Sequence, residues 1–194
     1  MNTKTKELPV LLFENKKKWA DWLEKQHDTS AGIWLKLAKK QSGISSVTYD
    51  EALDVALCYG WIDGQKKGLD DKYWLQKFTP RGPKSIWSKI NTEKAETLIA
   101  SGAMKPAGLK AVELAKQDGR WEAAYSSQKA MTVPEDFQIA LNKNKKAREF
   151  FATLNSANRY AVLFRIQTAK KAETRARRIQ QFVEMLERGE KLYP

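Results

Sequence analysis

Residues 47–91 read VTYDEALDVALCYGWIDGQKKGLDDKYWLQKFTPRGPKSIWSKIN, and this stretch decides the fold class. Thr48-Tyr-Asp-Glu51 is a capping box: the Thr48 hydroxyl accepts from the backbone N–H three residues on, and Glu51 reaches back to the Thr48 amide. A helix therefore starts there. Leu53, Ala56 and Leu57 continue it at helical spacing, and Gly60 stands where a left-handed residue ends a helix. Trp61-Ile-Asp-Gly64 opens a strand-like run punctuated by Gly64 and Gly68. Residues 72–79 (KYWLQKFT) form a second strand, with Tyr73, Leu75 and Lys77 on one face and Trp74, Gln76 and Phe78 on the other. Pro80-Arg-Gly-Pro83 then forces a loop, because each proline restricts the residue before it.

Between Asp71 and Glu93 the sequence has no acidic residue but holds Lys72, Lys77, Arg81, Lys84 and Lys89. Ser85, Ser88 and Asn91 add neutral donors, and Asn91 before Thr92-Glu93 reads as the N-cap of the next helix, whose positive end favours anions. A solvated basic loop is the competing reading. Trp74, Phe78 and Trp87, interleaved with the cations, bring an anion-binding loop level with that reading, since an exposed loop has little reason to carry tryptophan.

Toward the N-terminus, residues 9–13 suit an edge strand, and Asn15 caps a helix whose Trp19, Trp22 and Leu23 share a face. Residues 31–37 (AGIWLKL) alternate as a strand. The order strand, helix, strand, helix, strand, strand predicts an α+β unit over residues 1–90, a small mixed β-sheet with packed helices. Residues 91–194 carry only helical patterns and predict an all-helical unit packed against the first. Its last helix, from about residue 168 to 188, bears a basic stripe of Lys171, Arg175 and Arg178. In Asp118-Gly-Arg-Trp121 a glycine turn brings Arg120 beside Trp121, which suits Arg120 to a buried carboxylate partner, Asp63 for instance, or to an anionic ligand.

The chain has 194 residues, 42% of them hydrophobic, which suffices for one substantial core or two small ones. A formal charge of +12 implies polyanionic partners. The first thirteen residues are too poor in apolar side chains for a secretory leader, no run approaches a membrane span, and a single cysteine, Cys58, excludes an internal disulfide. Cytoplasmic localisation is the expectation.

The lone histidine, His27, sits at a helix end, where it reads as a C-terminal helix cation or surface residue. One His and one Cys are too few for a zinc site, and no phosphate-binding glycine motif is present. No cofactor is therefore expected. Asp63, flanked by apolar residues, is the candidate acid/base group if the protein is an enzyme; the plainer reading is that its carboxylate accepts turn amides.

Four motifs, YDEALDVALCYGWIDG (49–64), FTPRGPKSIWSKIN (78–91), DGRWEAAY (118–125) and AKKAETRARRI (169–179), resemble the YdeI/OmpD-associated family, also called bacteriocin-protection proteins. The family name implies envelope protection and association with a porin. It carries over no catalytic residue. On the residues themselves, the leading expectation is a protein that binds a small anionic ligand in a cleft between the sheet and the helical half through Trp61, Asp63, Arg81, Lys84, Ser85, Trp87, Asn91 and Arg120. The alternative is sequence-independent nucleic-acid binding across residues 72–91 and the C-terminal stripe; an enzyme using Asp63 comes third.

Overall fold

A computed structural model describes residues 7–128 and 130–194. Residues 1–6, which open the stretch read above as lacking a leader, lie outside the described residues. The elements run β1 (Val10–Leu12), α1 (Lys16–Gln26), β2 (Ile33–Ala38), α2 (Tyr49–Cys58), β3 (Trp61–Gly68), β4 (Tyr73–Pro80), α3 (Lys89–Ala100), α4 (Pro106–Gln117), α5 (Glu135–Asn142), α6 (Lys145–Thr153), α7 (Ser156–Gln167) and α8 (Ala172–Glu187). This is the α+β architecture that residues 47–91 predict. The strands lie in the N-terminal half, and helices dominate the rest. Two compact units divide the chain: residues up to 87 with 91–122, and residues 88–90 with 123–194.

In the first unit the strands lie in the order β1-β2-β4-β3, with β1 and β2 parallel and the other pairs antiparallel. Because side chains alternate across a strand, the register sorts them into two faces. Ile33 opposes Phe78, Leu35 opposes Gln76 and Leu37 opposes Trp74 on the inner face; Trp34 opposes Lys77 and Lys36 opposes Leu75 on the outer one. A bulge between Asp63 and Lys66 resets β3, so that Lys67 also falls opposite Leu75.

The inner face is covered by α1 and α2. Asn15 caps α1 by accepting from the Lys18 amide. Trp19, fully buried, stacks on Trp22 at 5.4 Å and meets Phe78 at 5.8 Å, while Trp22 stands edge-on to Trp61 at 5.9 Å. Such ring pairs contribute roughly 0.5–1.5 kcal/mol each beyond their buried area. Both buried indoles find acceptors, Trp19 on the Ala52 carbonyl and Trp61 on that of His27. Thr48 and Glu51 form both halves of the capping box of α2.

At the other end of α2, Gly60 has φ +70°, and a Cβ there would stand 2.8 Å from the Ala107 carbonyl oxygen. Gly108, inside α4, comes closer still: its Cβ would lie 2.4 Å from the Cys58 carbonyl oxygen and 2.7 Å from that of Leu57. Two bare backbones thus let α4 abut the C-terminus of α2. Helix α3 joins the same unit through Lys94, whose ammonium lies 2.7 Å from the Asp54 carboxylate.

Helix α3 starts at Lys89, two residues before the N-cap position that the sequence suggests for Asn91. Ser88 forms a bridge with Tyr125, and the Lys89 amide donates to the Tyr125 carbonyl, so the chain is already fixed there. Asn91 consequently lies within the helix and is buried.

The second unit packs α5–α8 around Phe137, Leu141, Phe151, Val162, Leu163, Ile166 and Leu186. Phe137 and Phe151 meet edge-to-face at 5.4 Å. Helix α8 begins at Ala172, later than its periodicity suggests, after Thr168 closes α7. Among the described residues no helix is long and apolar enough to cross a membrane.

Candidate anion-binding cleft

Strand β4 runs out at Pro80, and the Arg81 amide donates to the Gly60 carbonyl, anchoring the start of the loop. A tight turn follows. Ser85 closes it twice, its amide donating to the Gly82 carbonyl and its hydroxyl accepting from the Gly82 amide. The chain then turns inward to bury Trp87, which is 2% exposed and meets Trp121 at 4.9 Å. The Arg81 guanidinium lies 3.4 Å from the centroid of the Trp87 ring, and its Nη1 donates to the Ile86 carbonyl at 3.3 Å. The Arg81 guanidinium is thus held over an indole. The Trp87 indole Nε1 is itself buried and has no hydrogen-bond partner among the described residues.

Gly119, at φ +74°, reverses the chain after α4 and delivers Arg120 to the same place. Arg120 is 7% exposed. Its Nε lies 2.8 and 2.7 Å from the two Asp118 oxygens, and its Nη1 donates to the Ser85 carbonyl at 2.9 Å. A carboxylate two residues away and a carbonyl from the facing loop therefore fix the guanidinium without engaging all its donors.

Arg81, Gly82, Pro83, Lys110, Ala111, Leu114 and Arg120 line a half-open cleft of about 290 Å³. All three charged residues on that wall are cations. The loop supplies one, α4 a second and the turn after α4 the third, so the cleft lies between the end of the sheet and α4. Ala111 and Leu114 add apolar surface beside these cations.

The sequence-derived candidates separate into groups. Arg81 and Arg120 line the cleft; Ser85 and Trp87 support it from behind, through a carbonyl and a ring. Lys84 is exposed on the turn and is not part of the lining. Trp61 is fully buried among the α1 tryptophans. Asp63 accepts a hydrogen bond from the Tyr49 hydroxyl at 2.9 Å. Arg120 therefore pairs with Asp118 and not with Asp63; a carboxylate two residues distant, across a glycine turn, costs no long-range closure. Lys110 was missed. On α4 it is one lysine among several at solvated spacing, and only the approach of α4 to α2 sets it against the loop.

The C-terminal stripe is largely occupied. Arg175 donates to both Asp136 oxygens at 2.6 and 2.8 Å and to the Ile166 carbonyl, and Arg178 donates to the Arg165 carbonyl. Two of its three cations thus cap α7 and bind α5 to α8. The Asp136 carboxyl is held below the usual carboxylate range, chiefly by that Arg175 hydrogen bond.

Residues 130–189 match the family described as Bacteriocin-protection, YdeI or OmpD-Associated. Residues 11–111 match a domain of unknown function, DUF8412. No curated protein and no solved structure gives a match to the chain.

Proposed function

We propose that the chain, which carries a domain of the YdeI/OmpD-associated family at residues 130–189 behind a DUF8412 domain at residues 11–111, binds a small polyanion such as a phosphorylated metabolite in the cleft between Arg81, Lys110 and Arg120. The carrying observation is the wall itself: a 290 Å³ concavity whose charged members are all cations, one of them prepositioned by Asp118 and Ser85. Prepositioning matters because ordering a long side chain on binding costs roughly 0.5–1.5 kcal/mol.

The location in this reading is the cytoplasm. Porin association enters as a proposed partnership that the family description names, and with a charge of +12 the partner's acidic surface is the complementary one. Direct capture of cationic peptides fits poorly, since like charges repel. Asp63 as an acid/base group is a weaker proposal, because its carboxylate is taken by Tyr49 and it does not line the cleft.

Calorimetric titration with inorganic pyrophosphate tests the reading. Lys110 is exposed, so Lys110→Ala removes a ligand contact without opening the core. A charge-assisted contact is worth roughly 1.5–3 kcal/mol, so affinity should fall tenfold or more while the melting temperature holds. Unchanged pyrophosphate affinity in Lys110→Glu would remove the cleft from consideration. Arg81→Ala is the poorer probe, because Arg81 also covers the Trp87 ring and should lower stability by itself.

A further inference from the structure

We propose that the outer face of the sheet is a platform for single-stranded nucleic acid, which stacks bases on Trp34 and Tyr73 and neutralises phosphates with Lys36, Lys67 and Lys77. The observation is separate from the cleft and does not rest on it. Helices α1 and α2 cover the opposite face, where Trp19 meets Phe78 and Tyr49 reaches Asp63. On the outer face Trp34 and Tyr73 are half-buried, and the β1 side chains beside them, Val10 and Leu12, are 52% and 45% exposed.

Three strands contribute one row, Lys36 on β2, Leu75 on β4 and Lys67 on β3. Leu75, between the two lysines, is 2% exposed. The two ammonium groups lean in opposite diagonal directions, Lys36 Nζ to 3.9 Å from the Tyr73 ring centroid and Lys67 Nζ to 4.2 Å from that of Trp34. Each half-buried aromatic ring therefore has a cation over it. Lys77, opposite Trp34 in register, adds a third cation. Asp70, in the hairpin after β3, turns its carboxylate to the Lys72 and Tyr73 amides.

Flat aromatic faces interleaved with lysines on an open sheet suit a single strand, whose unstacked bases are free to lie on the rings while its phosphates meet the ammonium groups. A lysine over a ring at a wet surface is held weakly, so a base displaces it and the freed ammonium moves to the adjoining phosphate. Four residues separate Tyr73 from Lys77, the partner of Trp34, or about 13 Å along the strand at roughly 3.3 Å per residue, so each ring takes a separate base. A paired duplex hides its base faces and has nothing to offer the rings. Backbone charge and stacking carry no base code, so binding is indifferent to sequence and weakens steeply with salt.

The test is fluorescence anisotropy with labelled homopolymeric ten-nucleotide strands and the matching duplex, at two salt concentrations, on the full chain. The single strand should bind more tightly than the duplex. Trp34→Leu should weaken binding about tenfold, and Lys36→Gln with Lys67→Gln should reduce the salt slope by about 1.4. The lysine pair keeps the test decisive if Trp34→Leu fails to fold, since their ammonium groups contribute little to the core. Lys110→Ala, which disables the cleft in the pyrophosphate titration, should leave oligonucleotide binding unchanged. Preference for the duplex, absence of binding, or loss on Lys110→Ala with no effect of the lysine pair overturns the proposal.

Discussion

Gly108→Ala is the substitution on which the packing of the first unit turns. In an ordinary helix interior the change would stabilise, because alanine has the higher helix propensity by about 1 kcal/mol. Here the new Cβ would stand 2.4 Å from the Cys58 carbonyl oxygen and 2.4 Å from Met104 Sδ, with the Leu57 carbonyl oxygen at 2.7 Å. The methionine can swing aside. The carbonyls cannot, because they belong to the last turn of α2. Helix α4 must then retreat by at least about 0.6 Å to reach the 3.0 Å that real Cβ atoms respect. Overpacking against backbone costs roughly 1–3 kcal/mol, and the upper part of that range applies when neither partner is a flexible side chain. With the propensity gain subtracted, a net loss of about 2 kcal/mol remains. The melting temperature of the unit should fall by roughly 5–10 °C in a calorimetric scan. Because α4 carries Lys110, Ala111 and Leu114 into the cleft, pyrophosphate affinity should weaken as well. A variant that melts at the wild-type temperature or higher would show that the α2–α4 contact yields freely and refute this account.

Thr48→Ala removes half of the capping box and leaves the amide of Glu51 without its acceptor, so unfolding in urea should show a loss of about 1 kcal/mol. Asp136 contributes a pH-dependent term to the second unit. Its folded-state pKa is depressed by Arg175, so the stabilisation is present above the unfolded value and is lost as pH falls through the folded one, below about pH 4. Arg175→Ala should therefore lower the unfolding midpoint near neutral pH and flatten its decline toward about pH 3; a decline as steep as that of the wild type would count against this assignment.

What was legible in the sequence had local causes. The capping box of Thr48 and Glu51, the left-handed Gly60 and the alternation of residues 72–79 each rest on neighbours a few positions away, and the α+β order follows from them. Arg81 and Arg120 stood out because charge and aromatic residues cluster in their own turns. Position along α3 was not legible, because the bridge between Ser88 and Tyr125 fixes its start from 37 residues away. Lys110 was hidden for the same reason: its cleft exists only once Gly108 has brought α4 against α2. Arg175 reads as a surface cation until Asp136, 39 residues earlier, is beside it. Trp61 shows the converse. Its place in a turn suggests an accessible ring, whereas the indole is a buried donor to His27.

All seven tryptophans, Trp19, Trp22, Trp34, Trp61, Trp74, Trp87 and Trp121, fall in the first of the two units, and residues 88–90 and 123–194 hold none. Indole emission is therefore an optical label that nature has placed on one unit alone, while backbone ellipticity sums the helices of both. If the units melt independently, the two signals will part along a denaturant gradient; if they melt as one, the curves will superimpose. The Trp19 and Trp22 rings, 14° apart, both belong to α1, so their contact persists until that helix itself melts.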